Sequence, residues 1–204
     1  MMCTMSTSAR PSSYHHGNLR AELVRAGLAQ LATQSHADIS LRELAREVGV
    51  SANAVYRHFA NKEALLAAMA AEGFRQLAVA QQQAAGQHTH PVEMFLHSGR
   101  AYVAFARQHP ALYRLMFGHF TVGSHSEEMK EARELAYAGL RDGVALALRL
   151  DAGTEAVTVP ALHAWSLVHG LSQLILDGQL ETQGTDDAVV NAVLLQAALF
   201  GRQL

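Results

Sequence analysis

Apolar residues recur at helical spacing along most of this chain, and the pattern predicts helices and no convincing strand. The predicted helices span about 17–34, 41–48, 52–59 and 61–85, then run from about 91 to 108 and over 111–117, 127–150, 160–177 and 186–204. Ala and Leu are abundant, whereas β-branched and aromatic residues are sparse, which also favours helices over sheets. We therefore expect an all-α fold of about nine helices.

Two short helices joined by a tight turn are predicted within residues 40–63. Ser40 and Glu43 have the spacing of a capping box, which predicts the start of the first helix. Gly49 falls at the left-handed position that ends a helix, and Ser51 can cap the next helix at once. This is the arrangement of a helix-turn-helix motif, in which the second helix enters the major groove of DNA.

The same region resembles the TetR family of bacterial transcriptional regulators. The matching residues are Leu44-Ala45, Val48-Gly49-Val50-Ser51, Tyr56-Arg57-His58-Phe59 and Asn61-Lys62-Glu63-Ala64-Leu65-Leu66. Two further stretches, Tyr14–Arg20 and Trp165–Gly170, resemble the subgroup whose C-terminal half carries a WHG domain. The resemblance implies a three-helix DNA-binding head at 14–62 and an effector-binding and dimerisation body at 63–204, while the small, polar residues 1–13 predict a disordered tail.

The distribution of charge agrees with a head that faces DNA. The whole chain carries a net charge of −2. Residues 1–62 hold seven Lys and Arg against four acids, a balance of +3, and the remainder holds nine against fourteen, a balance of −5. The single cysteine, Cys3, excludes an intrachain disulfide, and no apolar run reaches the length of a membrane span. The absence of an apolar leader predicts a cytoplasmic protein.

The second helix of the motif carries the residues that we expect to touch bases. Asn53 is the predicted base reader, because its amide can form two hydrogen bonds with the N6 and N7 edge of adenine. The alternative is a polar side chain in solvent. Ser51 is expected to cap the helix and could also donate to a phosphate. Ala52 could touch a thymine methyl group or could simply let the helix approach the DNA. Many family members carry Lys and Gly where this chain has Ala52 and Asn53, so their operator sequence does not transfer.

Other polar residues of the head are predicted to contact the DNA backbone. Tyr56, His58 and Lys62 match positions that the family uses on phosphates, and each can donate a hydrogen bond to an anionic oxygen. Core packing is the alternative for Tyr56, and a solvated charge is the alternative for Lys62. Arg42 could also reach the backbone or could remain solvated.

The resemblance implies that the body binds an unknown small-molecule effector. The candidate lining residues are Phe95, Tyr102, Phe105, Phe117, Trp165 and His169, which supply aromatic walls and a few polar groups. Each could instead belong to the core. The resemblance also implies a homodimer through the last two long helices. Apolar residues on two faces of these helices agree with it, namely Leu171, Leu174, Ile175, Val189, Val193 and Phe200, although they could be ordinary intrachain core.

Twelve histidines raise the alternative of a metal-dependent hydrolase. The candidates are His88, His90, His97, His109, His119 and His125. None forms a helical His-x-x-x-His pair with an acidic or thiol partner, and the sequence has no nucleophile elbow, phosphate loop or dinucleotide fingerprint. We predict that the protein is not an enzyme and that it binds no metal or cofactor.

The leading hypothesis is a homodimeric repressor that an effector releases from a pseudo-palindromic DNA operator. A constitutive DNA binder or an activator of the same fold is the other alternative.

Overall fold

The computed structural model describes residues 19–118, 126–180 and 187–200, except for the side chains of 187 and 197–200. These residues form nine α-helices, a 3₁₀ turn at Glu155–Val157 and no strand. The helices are α1 (Leu19–Leu31), α2 (Leu41–Val48), α3 (Ala52–Tyr56), α4 (Lys62–Ala85), α5 (Pro91–Gln108), α6 (Pro110–Phe117), α7 (Glu127–Leu148), α8 (Thr158–Leu176) and α9 (Asp187–Phe200). The predicted all-α fold is confirmed. The tail at 1–13, the stretch Tyr14–Asn18, and the segments 119–125, 181–186 and 201–204 lie outside the described residues.

Local signals place most helix ends where the sequence predicts them. Gly49 takes the left-handed conformation with φ of 77° and ends α2, and Gly178, with φ of 69°, follows α8 in the same way. The Ser51 hydroxyl oxygen accepts a hydrogen bond from the Ala54 N–H at 3.2 Å and caps α3. The Asn61 side chain caps α4 by accepting from the Ala64 N–H at 2.8 Å.

The predicted capping box at the start of α2 is wrong. Ser40 occupies the N-cap position in an extended conformation, but its side chain makes no capping hydrogen bond. The Glu43 carboxylate accepts instead from Arg46, at 3.4 Å, one turn later along the helix. A capping box requires Glu43 to reach back to the Ser40 N–H, and the charged donor on the next turn draws the carboxylate the other way.

The third helix is shorter than predicted, because it ends at Tyr56 and not at Phe59. The N–H groups of His58 and Phe59 both bond to the Val55 carbonyl, each at 2.9 Å, so the last turn tightens. The chain is extended again at Asn61, with φ of −153°, where α4 is capped. Phe59 lies beyond the helix end but is buried in the core, as the spacing predicts.

The larger of two hydrophobic clusters joins the head to the body through α4, and the smaller lies around Val144 and Val157. The head packs α1, α2 and α3 around Leu23, Leu44, Val55 and Phe59, all of which are buried. The first half of α4 completes this core through Met69, and its remaining turns pack against α5, α6 and α7. At 1.5 Å per residue, the 24 residues of α4 span roughly 36 Å. It is therefore a continuous helix shared by the two parts.

The last two helices bury one side and expose apolar residues on the other. Val168 of α8 and Val190 and Leu194 of α9 are buried against the core. The exposed large apolar residues on these helices are Val159, Leu162, Leu174, Val189 and Leu195. In the described ranges, no helix is both long and apolar enough to cross a membrane.

Candidate nucleic-acid interface and body cavity

Helix α3 presents polar side chains on the face opposite to its buried Val55. Asn53, Tyr56 and His58 are all exposed, and 44% of Tyr56 is accessible. Within the part of the chain that the structure describes, their side chains have no hydrogen-bond partner. An amide, a phenol and an imidazole are thus brought together on one short helix and the turn after it, with donors and acceptors available for another molecule.

The start of α3 is small and open. The Ser51 hydroxyl oxygen accepts the capping bond, which leaves its O–H free to donate to an external acceptor. Ala52 follows and is partly buried. The methyl side chain of Ala52 is small enough to let another molecule approach this end of the helix closely. The predicted capping role of Ser51 is confirmed, and the DNA roles of both residues stay predictions.

The two predicted cationic contacts differ in their surroundings. Arg42 is exposed, and no carboxylate pairs with it among the residues of the three described ranges. The Lys62 ammonium instead donates a hydrogen bond to the carbonyl of Ala37 and ties the start of α4 to the loop before α2. An ammonium has three donors, so this bond leaves two of them for a phosphate.

A cavity of about 130 Å³ lies inside the body, between α4, α5, α6, α7 and α8. Its lining residues are Phe74, Leu77, Gln81, Tyr102, Met116, Phe117, Arg133, Ala136, Tyr137, Leu140, Trp165 and Val168. Three of the predicted effector residues, Tyr102, Phe117 and Trp165, are among them. Two others are placed elsewhere: Phe95 lines a separate groove between α4, α5 and α7, and Phe105 is buried with its ring 4.8 Å from that of His109.

The sixth predicted residue, His169, forms a polar cluster behind the cavity wall. Its Nδ1 lies 2.7 Å from the Tyr113 hydroxyl and 3.1 Å from the Tyr102 hydroxyl. Burial raises the pKa of both tyrosines and lowers the pKa of His169, so all three are neutral at pH 7. A neutral imidazole that accepts at Nδ1 carries its proton on Nε2. The cluster fixes Tyr102, whose ring lines the cavity.

Sequence reasoning missed the contribution of α7 to the cavity. Arg133, Tyr137 and Leu140 are separated by four and three residues and share one face of this helix. That spacing is visible in the sequence and could have indicated a common surface. What the sequence does not reveal is that this face is turned toward Trp165, whose ring centroid lies 6.1 Å from that of Tyr137.

The same helix also contacts the head through charges. The Glu128 carboxylate, in the first turn of α7, accepts hydrogen bonds from Arg20 of α1 and from Arg75 of α4. Arg75 also pairs with Glu72 at 2.7 Å. Burial alone would raise the pKa of Glu128, but the hydrogen bonds and charges of the two arginines outweigh it, and the pKa falls below its usual value. This four-residue group joins α1, α4 and α7.

The histidines of the body do not form a metal centre in the described part of the chain. No group of three or more His, Cys, Asp or Glu side chains there could hold a metal ion. His88 and His97 stack with their ring centroids 3.6 Å apart, and the Glu93 carboxylate lies 3.9 Å from His88 Nδ1. His119 and His125 lie outside the described residues.

Comparison with protein-family models gives two matches. The model described as bacterial regulatory proteins of the tetR family matches residues 23–69, which cover most of the head. The model described as the tetracyclin repressor-like C-terminal domain matches residues 95–198, about half of the chain. The assignment to the WHG subgroup stays a prediction. No curated protein matches the sequence.

Solved structures share the fold over nearly the whole chain. A protein with unknown function from Rhodococcus sp. RHA1 is 31% identical, with a TM-score of 0.76, over 96% of this chain and 98% of that one. A TetR-family transcriptional regulator from Streptomyces coelicolor is 19% identical, with a TM-score of 0.67, over 87% and 78%. A third, from Marinobacter aquaeolei VT8, is 18% identical, with a TM-score of 0.62, over 88% and 93%. At such identities the last two show a common fold alone.

Proposed function

The chain belongs to the TetR family and is a DNA-binding transcriptional regulator rather than an enzyme, and from this premise we propose a homodimeric repressor that a small molecule releases from its operator. The observation that carries the proposal is the exposed polar face of α3, which has no side-chain partner among the described residues, set against a body with an aromatic cavity. Because the partner that we propose is DNA, we also propose that the protein is located in the cytoplasm. The Trp165–Gly170 stretch is our reason to propose the WHG subgroup within the family.

We propose that α3 lies in the major groove with Asn53 on an adenine. A two-point amide contact of this kind discriminates between bases by about 1–3 kcal/mol. Tyr56, His58 and Arg42 would then donate to phosphates, which fix the position of the helix without reading sequence. Lys62 would use the donors that its bond to Ala37 leaves, and would also keep α4 in register with the head.

The exposed apolar side of α8 and α9 supports the homodimer. Val159, Leu162 and Leu174 are exposed on α8, with Leu174 accessible to 45%. Between Leu162 and Leu174 lie Ser166, which is exposed, and Gly170, where an added Cβ would meet no atom within 4 Å. Small residues between larger apolar ones permit a helix of a second copy to pack closely. A two-fold dimer would read two half-sites of a pseudo-palindrome.

Release by an effector requires that the ligand bind the conformation that cannot hold DNA more tightly than the conformation that can. Helix α7 connects the cavity to the head. Its face at Arg133, Tyr137 and Leu140 lines the cavity, and its first turn holds the head through Glu128 and Arg20. We propose that a ligand displaces α7 and thereby shifts the contacts of Glu128 with the head. The distance between the two heads of the dimer would then no longer match the distance between the two half-sites.

Selection from a library of random DNA duplexes tests the DNA-binding part. We expect the wild-type protein to enrich one pseudo-palindrome whose half-site centres are separated by one helical turn or a multiple of it. Asn53→Ala should lose the preference at one base pair of each half-site. Lys130→Ala, which removes an exposed cation of the body, should enrich the same sequence as the wild type. Enrichment of no sequence, or identical enrichment by Asn53→Ala, would contradict the proposal.

A further inference from the structure

We infer that the effector is a small aromatic acid, with one planar ring inside the body cavity and a carboxylate or similar anion at Arg133. The inference rests on the proposed function, because it assigns the ligand class of the cavity that we propose as the effector site. Three properties of the cavity carry it: its volume, the rings of its wall, and the sign of the charge at its edge.

The volume fits one ring. The cavity measures about 130 Å³. An apolar protein cavity of about 150 Å³ is large enough to bind benzene. A fused or multi-ring ligand would need side chains to move. The cavity adjoins an open groove on the surface, and Arg133, Tyr137 and Trp165 line both the cavity and the groove. Polar substituents on the ring can therefore project outward.

The wall of the cavity favours a ligand with a flat, apolar ring over a ligand with a flexible aliphatic chain. Phe74 and Phe117 meet edge to face with ring centroids 5.2 Å apart, and Tyr137 and Trp165 contribute tilted rings on the other side. A ligand ring can meet these residues in the offset and edge-to-face geometries that aromatic pairs prefer. Such contacts add to the gain from burying apolar area, and an aliphatic ligand would not make them.

The charge at the cavity selects an anion. Arg133 is the one charged residue among the described lining residues, and neither Asp nor Glu is among them. No carboxylate pairs with Arg133 anywhere in the described ranges. A guanidinium binds a carboxylate with two parallel hydrogen bonds, which a single point charge cannot do.

The charges around the cavity edge restrict where the anion can sit. Lys130 and Glu134 line the adjoining groove together with Arg133. Lys130 already pairs with Glu127 at 3.2 Å, so it offers less to a ligand. The Glu134 carboxylate repels an anion that moves further out along the groove. The anion is therefore held at the edge of the cavity beside Arg133, with its ring directed inward.

Two of the remaining polar side chains of the wall already have partners. Gln81 donates its amide N–H to the Ser98 hydroxyl at 3.1 Å, and the Tyr102 hydroxyl belongs to the cluster around His169. Neither side chain is therefore free to bind a ligand hydroxyl, and a ring with several hydroxyl groups directed at them would lose more hydration than it regains. A simple aromatic carboxylate matches both the largely apolar wall and the cationic edge.

Isothermal titration calorimetry with four small probes tests the inference. The probes are benzoate, benzamide, benzylamine and hexanoate, which vary the charge and the ring separately. We expect benzoate to bind saturably, about tenfold or more tighter than benzamide, since its hydrogen bonds are charge-assisted. Benzylamine and hexanoate should bind more weakly still. Arg133→Gln should reduce benzoate binding to the level of benzamide and leave benzamide unchanged.

Two further variants act as controls. Lys130→Gln removes the neighbouring cation, which does not line the cavity, and should keep the preference for benzoate. Ala136→Phe places a ring inside the cavity and should reduce binding of all aromatic probes. Circular dichroism confirms that each variant is folded. The inference is overturned if no probe binds at millimolar concentration, if benzamide or hexanoate equals benzoate, or if Arg133→Gln retains the preference.

DNA binding without any probe is measured in parallel, so that the two proposals fail separately. A protein that selects an operator but shows no preference for benzoate loses the ligand class and keeps the proposed function. A protein that prefers benzoate through Arg133 but binds no DNA sequence specifically loses the proposed repressor function. Benzoate that binds and also weakens operator affinity is the result that both proposals expect.

Discussion

Replacing Glu128 by Gln isolates the charge that joins head and body. The substitution preserves the size of the side chain and removes only its negative charge. Arg20 and Arg75 then lose their common acceptor, although Arg75 keeps Glu72 at 2.7 Å. Because α1 and α7 are otherwise held together through α4, which packs against both, the loss affects the contact between the two parts more than the core of either.

The magnitude follows from the exposure of the group. The side chain of Glu128 is 26% accessible, and those of Arg20 and Arg75 are 45% and 41% accessible. Exposed ion pairs contribute about 0.2–1 kcal/mol each, because solvent screens them. Two pairs that share one partly buried carboxylate should therefore contribute about 1 kcal/mol, and at most about 2 kcal/mol, to the free energy of unfolding.

The effect should depend on pH in a definite direction. The arginines lower the pKa of Glu128 in the folded protein, so its stabilisation is complete above the pKa of the unfolded chain. It is lost as the pH falls through the lower, folded value. Urea unfolding at pH 7 should thus give a lower midpoint for Glu128→Gln than for the wild type. At pH 4 the difference should be smaller.

Glu127→Gln is the matched control. It changes the same net charge in the same turn of α7 but removes a partner only from Lys130, which is on the surface. We expect its midpoint to lie close to that of the wild type. If Glu127→Gln and Glu128→Gln behave alike at pH 7, or if the Glu128 effect persists unchanged at pH 4, the Arg20–Glu128–Arg75 contacts do not couple head and body as argued.

Three further substitutions test the fold and the assembly. Ser51→Ala removes the cap of α3 and should cost about 1 kcal/mol in urea unfolding; an unchanged midpoint would contradict the capping role. Gly139→Ala adds a Cβ to α7 where no atom lies within 4 Å, so it should stabilise by about 0.5–1 kcal/mol, and a lower melting temperature would refute this. Leu174→Glu should shift the protein from dimer to monomer in sedimentation velocity, whereas Val79→Glu, at an equally exposed apolar site, should not; a dimer in both would reject the α8–α9 interface.

The head could be predicted from sequence because its signals are local. Gly49, Ser51 and Asn61 each fix a helix end through their own backbone or side chain, within three residues. Prediction from local spacing fails where two donors compete for one side chain. The Glu43 carboxylate accepts from Arg46 and not from the Ser40 N–H, and the spacing of Ser40 and Glu43 does not show that Arg46 competes.

The cavity could be predicted only in part, because five helices build it. Tyr102 and Phe105 are three residues apart on α5 and equally aromatic, and their spacing does not show that only Tyr102 faces the cavity. Arg133 is one of several charged residues on an amphipathic helix, and a solvated surface charge is the ordinary expectation for it. Its position at the cavity becomes visible only when α7 is seen beside Trp165.

Sequence-specific DNA binding is tested most directly by the affinity of the wild-type protein for the selected duplex and for a scrambled duplex of equal length. Both would be measured by fluorescence anisotropy at physiological salt, since phosphate contacts make affinity strongly dependent on salt. We predict that the selected duplex binds at least about 10³-fold more tightly, which is the lower range for specific regulators. Equal affinities for the two duplexes would show that the face of α3 around Asn53 binds phosphates without reading sequence, and would contradict the central claim.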